Sequence, residues 1–195
     1  RFFGFCSPPV EVTGLLKCDS ASRSKISPGI ERLRKQIAWC ETDRILVAGS
    51  THPGEEEILL SLFVNVRQRF PTLRLILAPR DILRCGEIDG LARLHGLRSL
   101  RLSGTIDSPR GDAPFILVDT LGDLRNLWGL AEMAFVGGSL VPHGGHNMAE
   151  PVGYGIPTCF GPHLFNFQSL ADDLVTHGGA SMVHSSDELK ACLAD

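Results

Sequence analysis

The sequence predicts an α/β fold: a Rossmann-like, doubly wound parallel sheet with helices on both faces. Three observations carry that prediction. The strongest apolar runs are short and unbroken: Ile45-Leu46-Val47-Ala48, Leu73 to Ala78, Phe115-Ile116-Leu117-Val118 and Met133-Ala134-Phe135-Val136. Runs without polar alternation suit strands covered on both faces. Each run stops at a polar or glycine-rich cluster, and apolar residues then recur at helical spacing. About six such units follow one another, the rhythm of βαβ chains, with no internal repeat and no low-complexity tract.

The chain has 195 residues, 43% hydrophobic and 21% charged, enough for one domain with a sizeable core. Its net charge of −3 argues against a nucleic-acid partner. The cysteines (Cys6, Cys18, Cys40, Cys85, Cys159 and Cys192) are scattered, with no C-x-x-C pair. That spacing fits neither a zinc ribbon nor a secreted disulfide scaffold, and reads as reduced thiols in a cytosolic setting. No apolar run approaches transmembrane length. The chain opens Arg1-Phe2-Phe3 without an initiator Met and reads as a piece of a longer protein.

Taken in order, Pro8-Pro9 blocks an early helix, and Val10-Glu11-Val12-Thr13 is a short strand-like run closed by Gly14. A helix follows before residue 44, with Ile30, Leu33, Ile37 and Ala38 on one face. The run 45–48 stops at Gly49-Ser50-Thr51-His52-Pro53-Gly54, and Glu55-Glu56-Glu57 opens the next helix. Acidic residues suit the positive end of a helix dipole, the role expected for Glu56 and Glu57. Leu73 to Ala78 ends at Pro79-Arg80-Asp81, where Arg80 is placed either to meet phosphate or to pair with Asp81. Residues 82–96 form a helix carrying Ile82, Leu83, Ile88, Leu91 and Leu94. A weaker strand spans 97–102, and 104–113 is a polar loop. Phe115 to Val118 leads into Asp119-Thr120-Leu121-Gly122-Asp123-Leu124 and a short helix to Leu130. Later strands are expected at 157–160 and 180–183, with helices at 167–175 and from Ser186. Trp39 and Trp128 are expected in or against the core.

The stretch 135–167 is the centre of the chain. Its strand empties into Gly137-Gly138-Ser139, a second pair Gly144-Gly145 follows, and Asn147-Met148-Ala149-Glu150 comes next. Asn followed three residues later by Glu reads as a capping box. Glycines at a helix start let backbone N–H groups approach an anion, so chemistry points to a nucleotide or phosphate site. The same residues are also compatible with a plain turn and a helix cap. Clusters at 50–54, 79–81, 119–124, 137–150 and 161–167 all fall at strand ends, where parallel sheets bind ligands.

Those clusters, in this order, resemble the C-terminal half of bacterial 3-deoxy-D-manno-octulosonic acid (Kdo) transferases. The likeness rests on Val12-Thr13-Gly14 to Lys17, Ser50-Thr51-His52 with Gly54-Glu55-Glu56-Glu57, and Pro79-Arg80. It continues through Asp119 to Leu124, Gly137-Gly138-Ser139-Leu140, Gly144-Gly145-His146-Asn147 with Glu150-Pro151, and Gly161-Pro162-His163 with Asn166-Phe167. Departures from the family pattern are Leu15 for Asn, Asp81 for His and Asp123 for Glu. The resemblance implies the C-terminal half of a GT-B glycosyltransferase, inverting, which binds the donor CMP-Kdo while a separate N-terminal half holds the acceptor, a lipid A precursor, and the catalytic carboxylate. Residues 1–43 would lead in from that half, and 44–195 would form the donor-binding unit. No catalytic residue is assigned to this chain, and no metal or cofactor is expected. The full protein would work at the cytoplasmic face of the bacterial inner membrane, with membrane association through the missing half.

The implied nucleotide-sugar site comprises Ser50, Thr51, His52, Pro79, Arg80, Leu121, Gly122, Asp123, Leu124, Gly137, Gly138, Ser139, Gly145, His146, Asn147 and Glu150. N–H groups of Gly138, Ser139 and Gly145 to Asn147 would cradle the phosphate and the sugar carboxylate. Arg80 would add charge, Glu150 would accept from ribose hydroxyls, and Leu121 to Leu124 would frame the base. His143 and His146 lack a third ligand at suitable spacing for metal, and Ser139, His146 and Glu150 lack a nucleophile elbow. His52 and His163 are candidates for phosphate or sugar contact. Alternatives are a UDP-sugar transferase or epimerase of the same fold, or a non-catalytic nucleotide-binding module. A dehydrogenase is disfavoured because no G-x-G-x-x-G follows the first strand.

Overall fold

The computed structural model describes residues 25–104 and 113–194. The strand-like run at 10–13, the motif from Val12 to Lys17, Cys6, Cys18 and most of the 104–113 loop lie outside the described residues.

Helix α1 (Pro28–Ile37) opens on Ser27, whose Oγ accepts from the Ile30 N–H at 3.2 Å, with Pro28 in the first turn. It closes on Ala38 at φ 53°, so Ala38 is a left-handed cap rather than part of the apolar face. Ile30, Leu33 and Ile37 are buried as the periodicity expects. They join the cluster holding Trp128, Val47 and Ile76, so α1 packs into the same body as the sheet. The division drawn at residue 44 therefore falls inside one packed unit.

The strands are β1 (Arg44–Thr51), β2 (Leu73–Pro79), β3 (Ser99–Arg101), β4 (Phe115–Leu117), β5 (Met133–Val136), β6 (Thr158–Phe160) and β7 (Ser181–Met182). They form one sheet in the order β3-β4-β2-β1-β5-β6-β7, with every pairing parallel. Alternate residues feed two cores. Val47, Ile76, Ile116 and Ala134 meet α1, the helical stretch α4 (Leu124–Leu127) with its continuation to Leu130, and α6 (Gln168–Thr176). Leu46, Leu75, Phe115 and Phe135 meet α2 (Glu55–Arg69), α3 (Cys85–Leu94) and α7 (Ser186–Ala194). Both faces are covered, which is why these strands carry no polar alternation.

Differences from expectation are local. Residues 82–84 form a 3-10 turn before α3, with Asp81 capping the Leu83 N–H at 2.9 Å. Leu83 and Leu94 are exposed rather than core. Helix α5 (Ala149–Val152) is a single turn. Trp128 is buried and Trp39 is half-buried, donating from Nε1 to the Ala113 carbonyl at 3.1 Å.

Because the strands are parallel, all their carboxyl ends share one edge. From β1 the chain runs to β2 on one side, and it later returns to β5 on the other side of β1. The crevice of a doubly wound sheet opens where the order reverses, here between the outlets of β1 and β5.

Candidate functional site

At the outlet of β1 the pairing with β2 shifts between Gly49 and Thr51, and Ser50 sits at φ 57°. A non-glycine residue in the left-handed region is a local strain held by its surroundings. The Thr51 carbonyl accepts from the Arg80 N–H at 3.0 Å, tying the outlets of β1 and β2 together. Thr51 is fully buried, and its hydroxyl has no hydrogen-bond partner among the described residues. Pro79 is buried too, as the register partner of Thr51, so neither residue presents its side chain to solvent.

Glu55, first residue of α2, is fully buried and holds the two outlets against each other. Its Oε2 accepts from the N–H groups of His52 at 2.9 Å and Gly138 at 2.7 Å. Its Oε1 accepts from Ser139 at 3.0 Å and Leu140 at 2.9 Å. The glycine loop after β5 does make an anion nest, and a carboxylate of the same chain fills its first part. This corrects the expectation that the N–H groups of Gly138 and Ser139 cradle phosphate. The Gly145 N–H is also committed, to the Gly138 carbonyl at 2.7 Å. Ser139 is enclosed: its Oγ donates to the Val136 carbonyl at 2.6 Å and accepts from the Gly161 N–H at 2.8 Å. Its part is to join the outlets of β5 and β6.

Glu56 likewise departs from a plain first-turn role. It is fully buried against Arg84, with Nη1 2.8 Å from Oε1, and Arg84 reaches Glu87 with its other nitrogen at 2.7 Å. Glu57 is exposed, as a first-turn acid would be.

The groups left facing the crevice are His52, His143, His146, Arg80 and the loop into α5. His52 Nε2 lies 2.8 Å from His146 Nε2, and the rings of His52 and His143 stack at 4.0 Å between centroids. Gly138, at φ 68°, lies beneath them: a Cβ there would come within 3.0 Å of the His146 ring. Gly137 is required by closer contact still, since its Cβ would stand 2.4 Å from the Ser50 carbonyl oxygen. Burial first, then the charges of His52, Arg80 and His143, pull His146 down to about 4. His52 is lowered by burial and then by His143, with Glu56 opposing. Both rings are therefore neutral at pH 7 and both lie within the field of Arg80. Arg80 itself is exposed and has no ion pair among the described residues, while the neighbouring Asp81 caps the Leu83 N–H.

The N–H groups of His146 and Asn147, both half-exposed, have no acceptor among the described residues. The capping box differs from expectation. Asn147 Oδ1 accepts from the Ala149 N–H at 3.2 Å, while its Nδ2 faces Glu150 Oε1 at 3.5 Å. Glu150 thus meets the Asn147 side chain rather than its backbone, and remains half-exposed. On the other flank, Leu121 is exposed, Gly122 turns at φ 85°, and Leu124 reaches the neighbourhood of Gly49. Asp123 pairs with Arg32 of α1 and accepts from Thr120 Oγ1 at 2.6 Å, which fixes α1 to this loop. His163 is exposed, with its N–H on the Ser139 carbonyl.

His52, Arg80, Gly138, His146 and Asn147 therefore meet at one crevice, while Thr51, Pro79 and Ser139 are structural beneath it. Sequence reasoning missed the Glu55 clamp, whose only signal was an acid directly after Gly54 at a helix start. It also missed the stacking of His143 on His52. Among the described residues no group of three His, Cys, Asp or Glu side chains is arranged to hold a metal ion. Stacked rings do not point their nitrogens at a common centre. No helix among the described residues is long and apolar enough to cross a membrane.

No protein-family model matches the chain. It is 34% identical over 183 residues to the 3-deoxy-D-manno-octulosonic acid transferase of Haemophilus influenzae, which covers 94% of this chain and 42% of that protein. Against the enzyme of the same description from Aquifex aeolicus it is 35% identical over 150 residues, 77% of this chain and 41% of that protein. The chain thus spans less than half the length of these curated relatives. Among solved structures, the C-terminal CMP-Kdo binding domain of WaaA from Acinetobacter baumannii matches with a TM-score of 0.76 at 29% identity, covering 85% of this chain and 87% of that one. WaaG, a glycosyltransferase, matches at 0.54 with 13% identity over 90% of this chain and 44% of that one, a likeness of fold alone.

Proposed function

We propose, from the premise that this chain is a homologue of the 3-deoxy-D-manno-octulosonic acid transferases and matches the C-terminal domain of one of them, that it is the CMP-Kdo binding domain of an inverting glycosyltransferase of GT-B architecture. The observation that carries the reading is the meeting of Arg80, Gly138 and the 146–147 backbone at the neighbouring outlets of β2, β1 and β5. The donor's phosphate lies against Arg80 and the open N–H groups of His146 and Asn147. Glu150, on the same turn, accepts from ribose hydroxyls. Leu121 to Leu124 frame the cytosine. Arg80, the backbone donors and the histidines meet the ligand's charge, and the reading assigns no metal.

Transfer to a lipid A precursor then belongs to a longer protein, in which another domain brings the acceptor and the catalytic carboxylate to the donor. Its setting is the cytoplasmic face of the bacterial inner membrane, in lipopolysaccharide synthesis. This domain alone holds the donor and does not catalyse transfer.

Calorimetric titration of the 195-residue chain with CMP-Kdo, CMP and UMP tests the reading. CMP-Kdo and CMP are expected to bind, with UMP at least about tenfold weaker. A preference for UMP would transfer the site to the UDP-sugar enzymes of the same fold. Glu150→Ala is expected to weaken CMP without altering the melting temperature. Unchanged affinity removes the ribose role, and loss of the fold assigns Glu150 to the helix start instead.

A further inference from the structure

We propose that His52 and His146 act as a single-proton receptor, taking up one shared proton when the anionic donor enters the crevice. The inference rests on the CMP-Kdo reading above and adds a specificity element for a sugar acid. At 2.8 Å between the two Nε2 atoms, one ring must donate and the other accept. In the neutral pair the donating ring keeps a free Nδ1 and the accepting ring carries its proton on Nδ1. One added proton goes to that free Nδ1, and the N–H···N bond becomes charge-assisted. A second would set two N–H groups head to head, so the pair accepts one proton and refuses the next.

The surroundings keep that proton off until a ligand arrives. The pair is faced by Arg80 from the outlet of β2, by Arg84 from the turn before α3, by His143 from the loop after β5, and by Glu56 from α2. Of these only Glu56 is negative, and Arg84 already pairs with it; the Glu55 carboxylate on the backbone side of His52 is taken up by four N–H groups. With part-burial added, both rings are held below the ordinary histidine range. CMP-Kdo brings a phosphodiester and a carboxylate, both ionised at neutral pH. Placed beside the pair and Arg80, those charges reverse the local field and draw one proton from solvent. A neutral sugar on the same nucleotide brings one charge fewer and draws less.

The experiment is calorimetric titration of the 195-residue chain with CMP-Kdo at pH 7 in buffers of different ionisation heat, repeated from pH 6 to 8. Neither charged group of the ligand titrates in that range. Uptake approaching about one proton per ligand is expected, with the dissociation constant rising by up to about tenfold per pH unit. His146→Gln keeps a neutral side chain in place and is expected to abolish the uptake and flatten the pH dependence. Tight CMP-Kdo binding with no proton exchanged overturns the inference and leaves the donor reading standing. Uptake of two protons contradicts the shared site, and uptake unchanged in His146→Gln places the proton elsewhere. Absence of CMP-Kdo binding removes the donor reading and this inference with it.

Discussion

Glu55 is the residue on which the shape of the crevice turns. A buried carboxylate taking four backbone N–H groups replaces the water those donors would otherwise need. Glu55→Gln sets an amide NH2 against two of them. A loss of roughly 2–4 kcal/mol in urea unfolding is expected, with weaker CMP binding. Stability equal to the parent's would show that the clamp is dispensable. Arg80 is the opposite case, exposed and without an ion pair among the described residues. Arg80→Ala is expected to leave the melting temperature unchanged and weaken CMP about ten- to hundredfold; unchanged affinity removes it from the phosphate. His146 sets the acid limit. With its folded value at about 4 against 6.5 in the unfolded chain, the unfolded state binds the extra proton in between. Stability is then full above pH 6.5 and falls as pH drops toward 4. Urea titrations across that window should show the slope, and His146→Gln should reduce it, the remainder belonging to His52, which burial also lowers. These roles were only partly legible. Arg80 was readable from its place after an apolar run. Glu55 was not, because an acid in a first helical turn has the same pattern whether it faces solvent or a buried nest.

At the scale of elements, the outlets of β1 and β5 are pressed together at Gly137 and Ser50. Gly137→Ala would drive a Cβ onto backbone, which cannot swing aside as a side chain can. A destabilisation of roughly 1–3 kcal/mol is expected in chemical unfolding, together with weakened CMP binding. An alanine variant with parental stability and affinity would contradict so close a contact. The long elements were legible because their apolar spacing is set by burial. Strands β1 and β2 are covered on both faces, and α2 buries Leu59, Leu62, Phe63 and Val66. The short ones were not. Asn147 and Glu150 spell a capping box, yet α5 lasts one turn and their side chains meet each other. Leu83 fits a helical pattern but ends up exposed, since the helix starts a turn later than the pattern does, and Leu94 is exposed as the last residue of that helix.

At the scale of the molecule, one edge of the sheet carries the polar outlets and the other carries apolar hollows. One hollow of about 530 Å³ lies at the amino ends of β5, β6 and β7, among Met133, Ile156, Pro157, Cys159 and Cys192. An apolar hollow would choose that edge, while strand direction and charge choose the other. The order of the strands was not readable from spacing, because pairing across the sheet leaves no local trace. That all outlets share an edge was readable, since a βα rhythm forces parallel strands. Amide shift mapping of the 195-residue chain with CMP decides between the edges. The account predicts shifts at His52, Arg80, Gly138, His146 and Asn147; shifts confined to the 133, 156–159 and 178–192 region would contradict it.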